Sequence, residues 1–232
     1  MNLNALNFLK SLRPNNRQFA VIGLGRFGRA VSSTLHTMGY EVLGIDSEEK
    51  RVDQALCDEI ASHVLQLDAM QPMALKEAGV FEFDTVIVAI GNYIQESIIT
   101  TLNLKEGGVP HIVAKASTEI HGKLLERVGA DHVVFPEHEM GCELARSLTR
   151  PGILDRFEVD PDHSIVEIVV PKEFDGKTIL DLGLRSRYGL NVIAVGHEDS
   201  SSQINPSPAT VLQKDMILVV IGSNKGINQL PV

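Results

Sequence analysis

The stretch "FAVIGLGRFGRA", Phe19 to Ala30, constrains the fold of this 232-residue chain more than any other. A short apolar run leads directly into Gly23-Leu24-Gly25-Arg26-Phe27-Gly28, and a helical pattern follows. G-x-G-x-x-G alone is a weak signal, but between a strand and a helix it reads as a nucleotide-binding turn. Gly23 allows the tight turn, Gly25 lets the backbone approach a phosphate, and Gly28 permits close packing of helix on sheet. The helix N-terminus then offers free N–H groups to an anion. Asp46 ends the next strand candidate, where an acid accepts hydrogen bonds from ribose hydroxyls and repels a 2′-phosphate, disfavouring NADP. Arg26 follows the second glycine, where phosphates would lie. Its charge suits a nucleotide with more phosphate than a bridging pair, such as ADP or ATP. A cation at the positive end of a helix dipole costs energy unless something negative faces it. Arg29, one turn into the helix, reads equally as a ligand group or a solvated side chain.

The rhythm after this turn predicts an α/β fold, a Rossmann-type doubly wound parallel sheet. Strand candidates run 19–23, 41–46, 63–68, 85–91, 111–116 and 132–136, with helical patterns near 27–38, 48–57, 71–78, 93–107, 119–127 and 137–149. "FAVIG" and "TVIVAIG" lack polar alternation, as strands covered on both faces do. Asp68 with its neighbour Ala69, and Ile90-Gly91-Asn92, fall at strand ends on the ligand edge of such a sheet. At "TRPGILDRFEVDPD" the rhythm changes. The remainder predicts a small α+β domain of mostly antiparallel strands, near 163–171, 191–196 and 216–222, with one helical piece around "TILDLGLRSRYG" and a polar loop "HEDSSSQINPSPAT". The expected divisions are a tail at 1–17, a nucleotide-binding domain at 18–150 and a second domain at 151–232. Within the tail, Leu3, Leu6, Leu9 and Leu12 recur as in a short amphipathic helix, fit either to pack on a partner or to fray.

The formal net charge is −9, and neither half of the chain is basic, which argues against a nucleic-acid polymer as partner. No apolar run is long enough for a membrane span, and the first residues do not read as a secretory signal. Cys57 and Cys142 lack metal or redox spacing and read as reduced, half-buried thiols. His111, His121, His132 and His138 read as surface or strand-end residues.

In order along the chain, "FAVIGLGRFGRAV", "VLGID", "DTVIVAIGNYIQESIITTL", "VAKA", "LERVGADHVVFPEHEMG" and "SIVEIVVP…GKTILDLGLRSRYGLNVIAV" resemble the RCK (KTN) regulators of Ktr-type potassium transporters. The resemblance runs from about Gln18 to Gly222. It implies a ligand-sensing regulatory subunit, not an enzyme, with an RCK_N domain followed by an RCK_C (TrkA_C-like) domain. It implies a homodimer that assembles into a homo-octameric ring beneath a KtrB-like membrane potassium-channel subunit, placing the protein in the cytoplasm at the inner face of the membrane. It also implies that ATP and ADP bind the first domain and hold different ring shapes, with NAD or NADH as further adenosine ligands.

Carried over by position, the resemblance assigns Gly23, Gly25, Arg26, Phe27, Gly28 and Asp46 to the nucleotide, with Arg26 reaching the terminal phosphate. Lys115 matches a lysine near the nucleotide. Glu137 matches an acid near the γ-phosphates of the dimer, where Mg²⁺, Ca²⁺ or Na⁺ can sit. A second ligand, cyclic di-AMP, is implied in the C-terminal domain at Ile179, Leu180, Arg185, Asn191 and Pro206 or Pro208. The alternative is an NAD-dependent oxidoreductase, which shares the glycine fingerprint. Such an enzyme needs a proton donor and an orienting cation in its second domain, and residues 151–232 offer no such constellation.

Overall fold

The computed structural model describes residues 17–231 apart from 92, 151 and 198–200. The leucine pattern of residues 3–12 therefore lies outside the described residues. The chain divides into two compact units, one ending at Glu139 and the other beginning at Met140.

In the first unit, strands β1 (Gln18–Ile22), β2 (Glu41–Asp46), β3 (His63–Gln66), β4 (Thr85–Val88), β5 (His111–Lys115) and β6 (His132–Val134) alternate with helices α1 (Arg26–Thr37), α2 (Glu49–Cys57), α3 (Pro72–Glu77), α4 (Ile94–Glu106) and α5 (Glu119–Val128). A further helix, α6 (Pro136–Thr149), runs across the division between the units. The strands form one parallel sheet in the order β3-β2-β1-β4-β5-β6. This is the doubly wound sheet that the alternation predicts. Its order reverses between β1 and β4, and a crevice opens there at the carboxyl ends of the strands. The unalternated strands are covered on both faces: Ala20, Val21 and Ile22 on β1 and Val86, Ile87 and Val88 on β4 are at most 6% exposed. One face packs Ile22, Ile45, Leu75, Val88, Leu104 and Ile112 into the main core. The other packs Val21, Val42 and Ile87 beneath Phe19, Phe27 and Val31 of the α1 side.

Several strands stop short of their sequence-based ends. β4 closes at Val88 rather than at 91, and β3 at Gln66 rather than at 68. Gly23 leaves β1 at φ +99, and after β3 the Asp68 carboxylate accepts the Met70 N–H at 2.9 Å and turns the chain.

The second unit carries an antiparallel sheet in the order β10-β9-β11-β8-β7. Its strands are β7 (Ile153–Asp160), β8 (His163–Val169), β9 (Leu190–Gly196), β10 (Gln203–Ile204) and β11 (Ile217–Ser223). Three match the expected strands, whereas β7 and β10 lie where the sequence pattern predicts none, β10 within the polar loop. On β7, Leu154, Phe157 and Val159 are at least 50% exposed, so its apolar residues do not mark a buried face. The one expected helical piece is two, α7 (Ile179–Leu182) and α8 (Leu184–Tyr188), because Gly183 between them sits at φ +55. A last helix, α9 (Asn224–Ile227), follows β11. Val166, Ile168, Leu190, Leu218, Val220 and Ile227 form this unit's core.

Candidate functional site

The three glycines of the loop have different surroundings. A Cβ on Gly28 would lie 1.8 Å from the Gly23 carbonyl oxygen, so α1 can seat against the loop only with glycine there. Gly23 sits at φ +99, and a Cβ on it would come within 3.1–3.2 Å of the Ala89 and Ile90 backbone. A Cβ on Gly25 would meet nothing within 4 Å. Two glycines thus close the turn on β4, and the third leaves open space beside its backbone, as a phosphate site requires.

α1 begins at Arg26 with Gly25 as its N-cap, no side-chain cap and no acidic residue in the first turn. The Arg29 N–H donates to the Gly25 carbonyl at 2.9 Å, the first bond of the helix. The amides of the preceding residues are the ones a helix leaves without internal partners. Exposed Arg26 adds a full positive charge at this dipole end. The arrangement fits an anion and fits nothing else in its own turn.

Asp46 is 5% exposed and accepts the Leu24 N–H at 2.7 Å and the Glu48 N–H at 2.9 Å. Arg51 of α2 approaches it at 3.4 Å. The carboxylate ties the glycine loop to the turn after β2, and its remaining lone pairs are the acceptors a ribose would use. Arg29 faces away from this task, with its guanidinium paired to Asp58 at the end of α2.

Lys115, at the carboxyl end of β5, completes the mouth. Its ammonium donates to Glu137 Oε1 at 2.5 Å and stands 5.7 Å from the centroid of the Phe27 ring. The stem lies over Gly91, where a Cβ would come within 3.0 Å of Nζ. Lys115 is 12% exposed and Glu137 is 70% exposed. The hydrogen bond from Lys115 is the main cause that holds the Glu137 carboxyl below its ordinary value, and the Arg26 charge adds to it. Arg26, Phe27, Gly91, Lys115 and Glu137 therefore share one neighbourhood, with two cations against one acid. The resemblance implies Glu137 beside the terminal phosphates of a dimer; in this chain it partners Lys115. Among the described residues no group of three or more His, Cys, Asp or Glu could hold a metal ion, so Glu137 does not head a metal cluster within one chain.

Of the remaining candidates, Asp68 is exposed with its carboxylate in the turn to Met70, Ala69 is buried, and Ile90 is partly buried beside Gly91. Asn92 lies outside the described residues. Two expectations change. His121 is 1% exposed, not a surface histidine; its Nδ1 faces the Ser117 N–H at 3.3 Å, and burial pushes the imidazole down. Cys57 is exposed rather than half-buried, and neither cysteine is in a disulfide. The pairing of Lys115 with Glu137, 22 residues apart, carried no sequence signal of its own, and neither did Arg51 against Asp46.

In the second unit the Leu180 N–H donates to the Pro208 carbonyl at 2.9 Å and the Ile179 N–H to the Thr210 carbonyl at 3.1 Å. Ile179, Leu180 and Pro208 are thereby brought together, with Leu180 71% exposed and Pro206 partly buried in the same loop. Arg185 on α8 and Asn191 on β9 are exposed.

Residues 19–136 match the TrkA-N domain family and residues 164–230 the TrkA-C domain family. The chain is 39% identical over 217 residues to "Ktr system potassium uptake protein A" of Bacillus subtilis (strain 168), covering 94% of this chain and 96% of that protein. It is 41% identical over 213 residues to "Ktr system potassium uptake protein C" of the same organism, covering 92% and 95%. Among solved structures, the "Crystal Structure of the GsuK RCK domain" matches with a TM-score of 0.63 at 21% identity, covering 94% of this chain and 47% of that one. The chain thus spans about half of that solved chain, and the likeness is one of fold.

Proposed function

The chain belongs to the TrkA-N and TrkA-C domain family, and from that premise we propose that it is a nucleotide-sensing regulatory subunit of a Ktr-type potassium uptake system. The reading is of a regulator, not an oxidoreductase: relatives that match over nearly their whole length are named for potassium uptake.

The observation that carries the nucleotide reading is the open backbone at Gly25, followed by Arg26 and by Phe27, against whose ring Lys115 stands. ATP and ADP share adenine, ribose and two phosphates, so a protein that tells them apart must do so with groups that meet the third. A ligand shifts a conformational equilibrium only by its differential affinity for the two states. Asp46 holds the ribose end and the loop amides take the inner phosphates. Arg26 compensates the terminal phosphate, which competes with Glu137 for Lys115. Glu137 then faces that phosphate, and Mg²⁺, Ca²⁺ or Na⁺ bound there would supply the charge that joins the two.

Exposed apolar side chains support assembly from dimers into a ring: Leu102 on α4, Ile120 and Leu124 on α5, and Met140, Leu144 and Leu148 on α6. No helix of the described residues is long and apolar enough to cross a membrane. In this reading the ring transmits the nucleotide state to a KtrB-like membrane subunit and so is held at the cytoplasmic face. Exposed Leu180 beside Pro208 offers an apolar ledge on which an adenine of cyclic di-AMP could stack, the second input of the reading.

The test is potassium flux through a Ktr-type channel subunit reconstituted with this chain and supplied with ATP, ADP or NADH. ATP is expected to raise flux above ADP. Equal flux with all three, in the presence of a bound ring, would refute the reading.

A further inference from the structure

The parallel sheet ends at β3, and a groove of about 420 Å³ wraps that free edge. Leu43, Leu56, Val64, Leu65, Ala78 and Phe83 supply its apolar walls, and Glu41 stands on its rim. Leu56 and Leu65 are 53% and 40% exposed. An edge strand that shows apolar side chains and unpaired backbone groups is ordinarily covered. None of the nucleotide-site residues lines this groove.

We propose that residues 1–16 of this same chain cover it, laying the stripe of Leu3, Leu6, Leu9 and Leu12 along the β2–β3 edge. The first argument is reach. β1 begins beside the groove: Gln18 pairs in register with Glu41, and its side-chain amide donates to the Glu41 carboxylate at 2.7 Å. β3 lies two strands away, about 10 Å across the sheet. The five residues from Arg17 back to Leu12 span about 16 Å when extended, which is sufficient.

The second argument is charge. The first seventeen residues carry Lys10, Arg13 and Arg17 and no acid, in a chain of net charge −9. Glu41 lines the groove, and Glu77 and Glu82 adjoin its wall residues Ala78 and Phe83 in the chain. A cationic amphipathic segment suits an apolar trough whose charged lining residue is Glu41. The third argument concerns a second copy as occupant. The exposed apolar faces of α4 and α5 connect β4, β5 and β6, at the opposite edge of the sheet. Association through those faces leaves the β3 edge uncovered.

The experiment is hydrogen exchange of amides 62–66, at several concentrations and with or without a Ktr-type channel subunit, for the full chain, for a chain lacking residues 1–16, and for the double variant Leu6→Glu/Leu9→Glu. Neither change replaces a described core residue. Docking in cis predicts concentration-independent protection in the full chain, weakened about tenfold in both altered chains. Equal protection in all three overturns the proposal. Protection that grows with protein concentration assigns the groove to a second copy and overturns it. Protection that appears only on adding a channel subunit assigns it to a partner and likewise overturns it.

Discussion

Two helices of this protein begin in opposite ways. α7, in the C-terminal unit, starts with a full capping box: Thr178 accepts the Asp181 N–H at 3.1 Å, and the Asp181 carboxylate accepts the Thr178 N–H at 3.1 Å. An acid sits in the first turn, as the dipole favours. α1, in the N-terminal unit, starts with glycine, no cap, no acid, and an arginine in first position. The first helix satisfies itself. The second leaves its first-turn amides and the Arg26 charge open to solvent or to an anion. Local rules tend to be broken at functional sites, and here the breach falls at the glycine loop.

The contrast breaks most visibly at Gly28. Gly28→Ala puts a methyl group within 1.8 Å of backbone, so the loop or helix must move. The expected cost is about 3 kcal/mol of stability in the N-terminal unit, with loss of nucleotide binding. Denaturant unfolding followed separately in each unit checks this; the C-terminal unit should be unchanged. An equal fall in both units would mean that the loop supports the whole chain.

Much of this was legible beforehand, for identifiable reasons. The glycine spacing and the unalternated strands report backbone geometry and two-sided burial, which are local, so the sheet and the tight turn and close packing at Gly23 and Gly28 were readable. β7 was not, because Leu154, Phe157 and Val159 point apolar groups outward between charged neighbours and near prolines. The Lys115–Glu137 pair was not readable from spacing either, since it joins the end of β5 to the start of α6. Only the family resemblance singled those two residues out, and it did not pair them. His121 misled because a polar residue at a helix start resembles a surface one until the packing around it is known.

A smaller effect tests the self-satisfied side. Thr178→Ala removes the cap of α7 and should cost the C-terminal unit about 1 kcal/mol by thermal or denaturant unfolding. Nucleotide affinity should not change, because the glycine loop belongs to the other unit.

The smallest effect is the pH dependence of the mouth. Glu137 has a carboxyl held below its ordinary 4.5 chiefly by the Lys115 hydrogen bond. A group depressed in the folded state contributes stability above its unfolded value, and that contribution is lost as pH falls through the lowered folded value. With Glu137 70% exposed, solvent screens the pair, and the contribution is about a few tenths of a kcal/mol. Stability measured from about pH 6 to about pH 3 should show this loss in the wild type and not in Lys115→Met, which keeps the stem over Gly91 and removes the charge.

The central claim is that Arg26 reads the terminal phosphate. Calorimetric titration of ATP and ADP into the wild type and Arg26→Ala tests it most directly. The account predicts that the variant loses about 1.5–3 kcal/mol of affinity for ATP and much less for ADP, so the ratio between the two nucleotides collapses. A variant that keeps the wild-type ratio, whatever its absolute affinities, would contradict it.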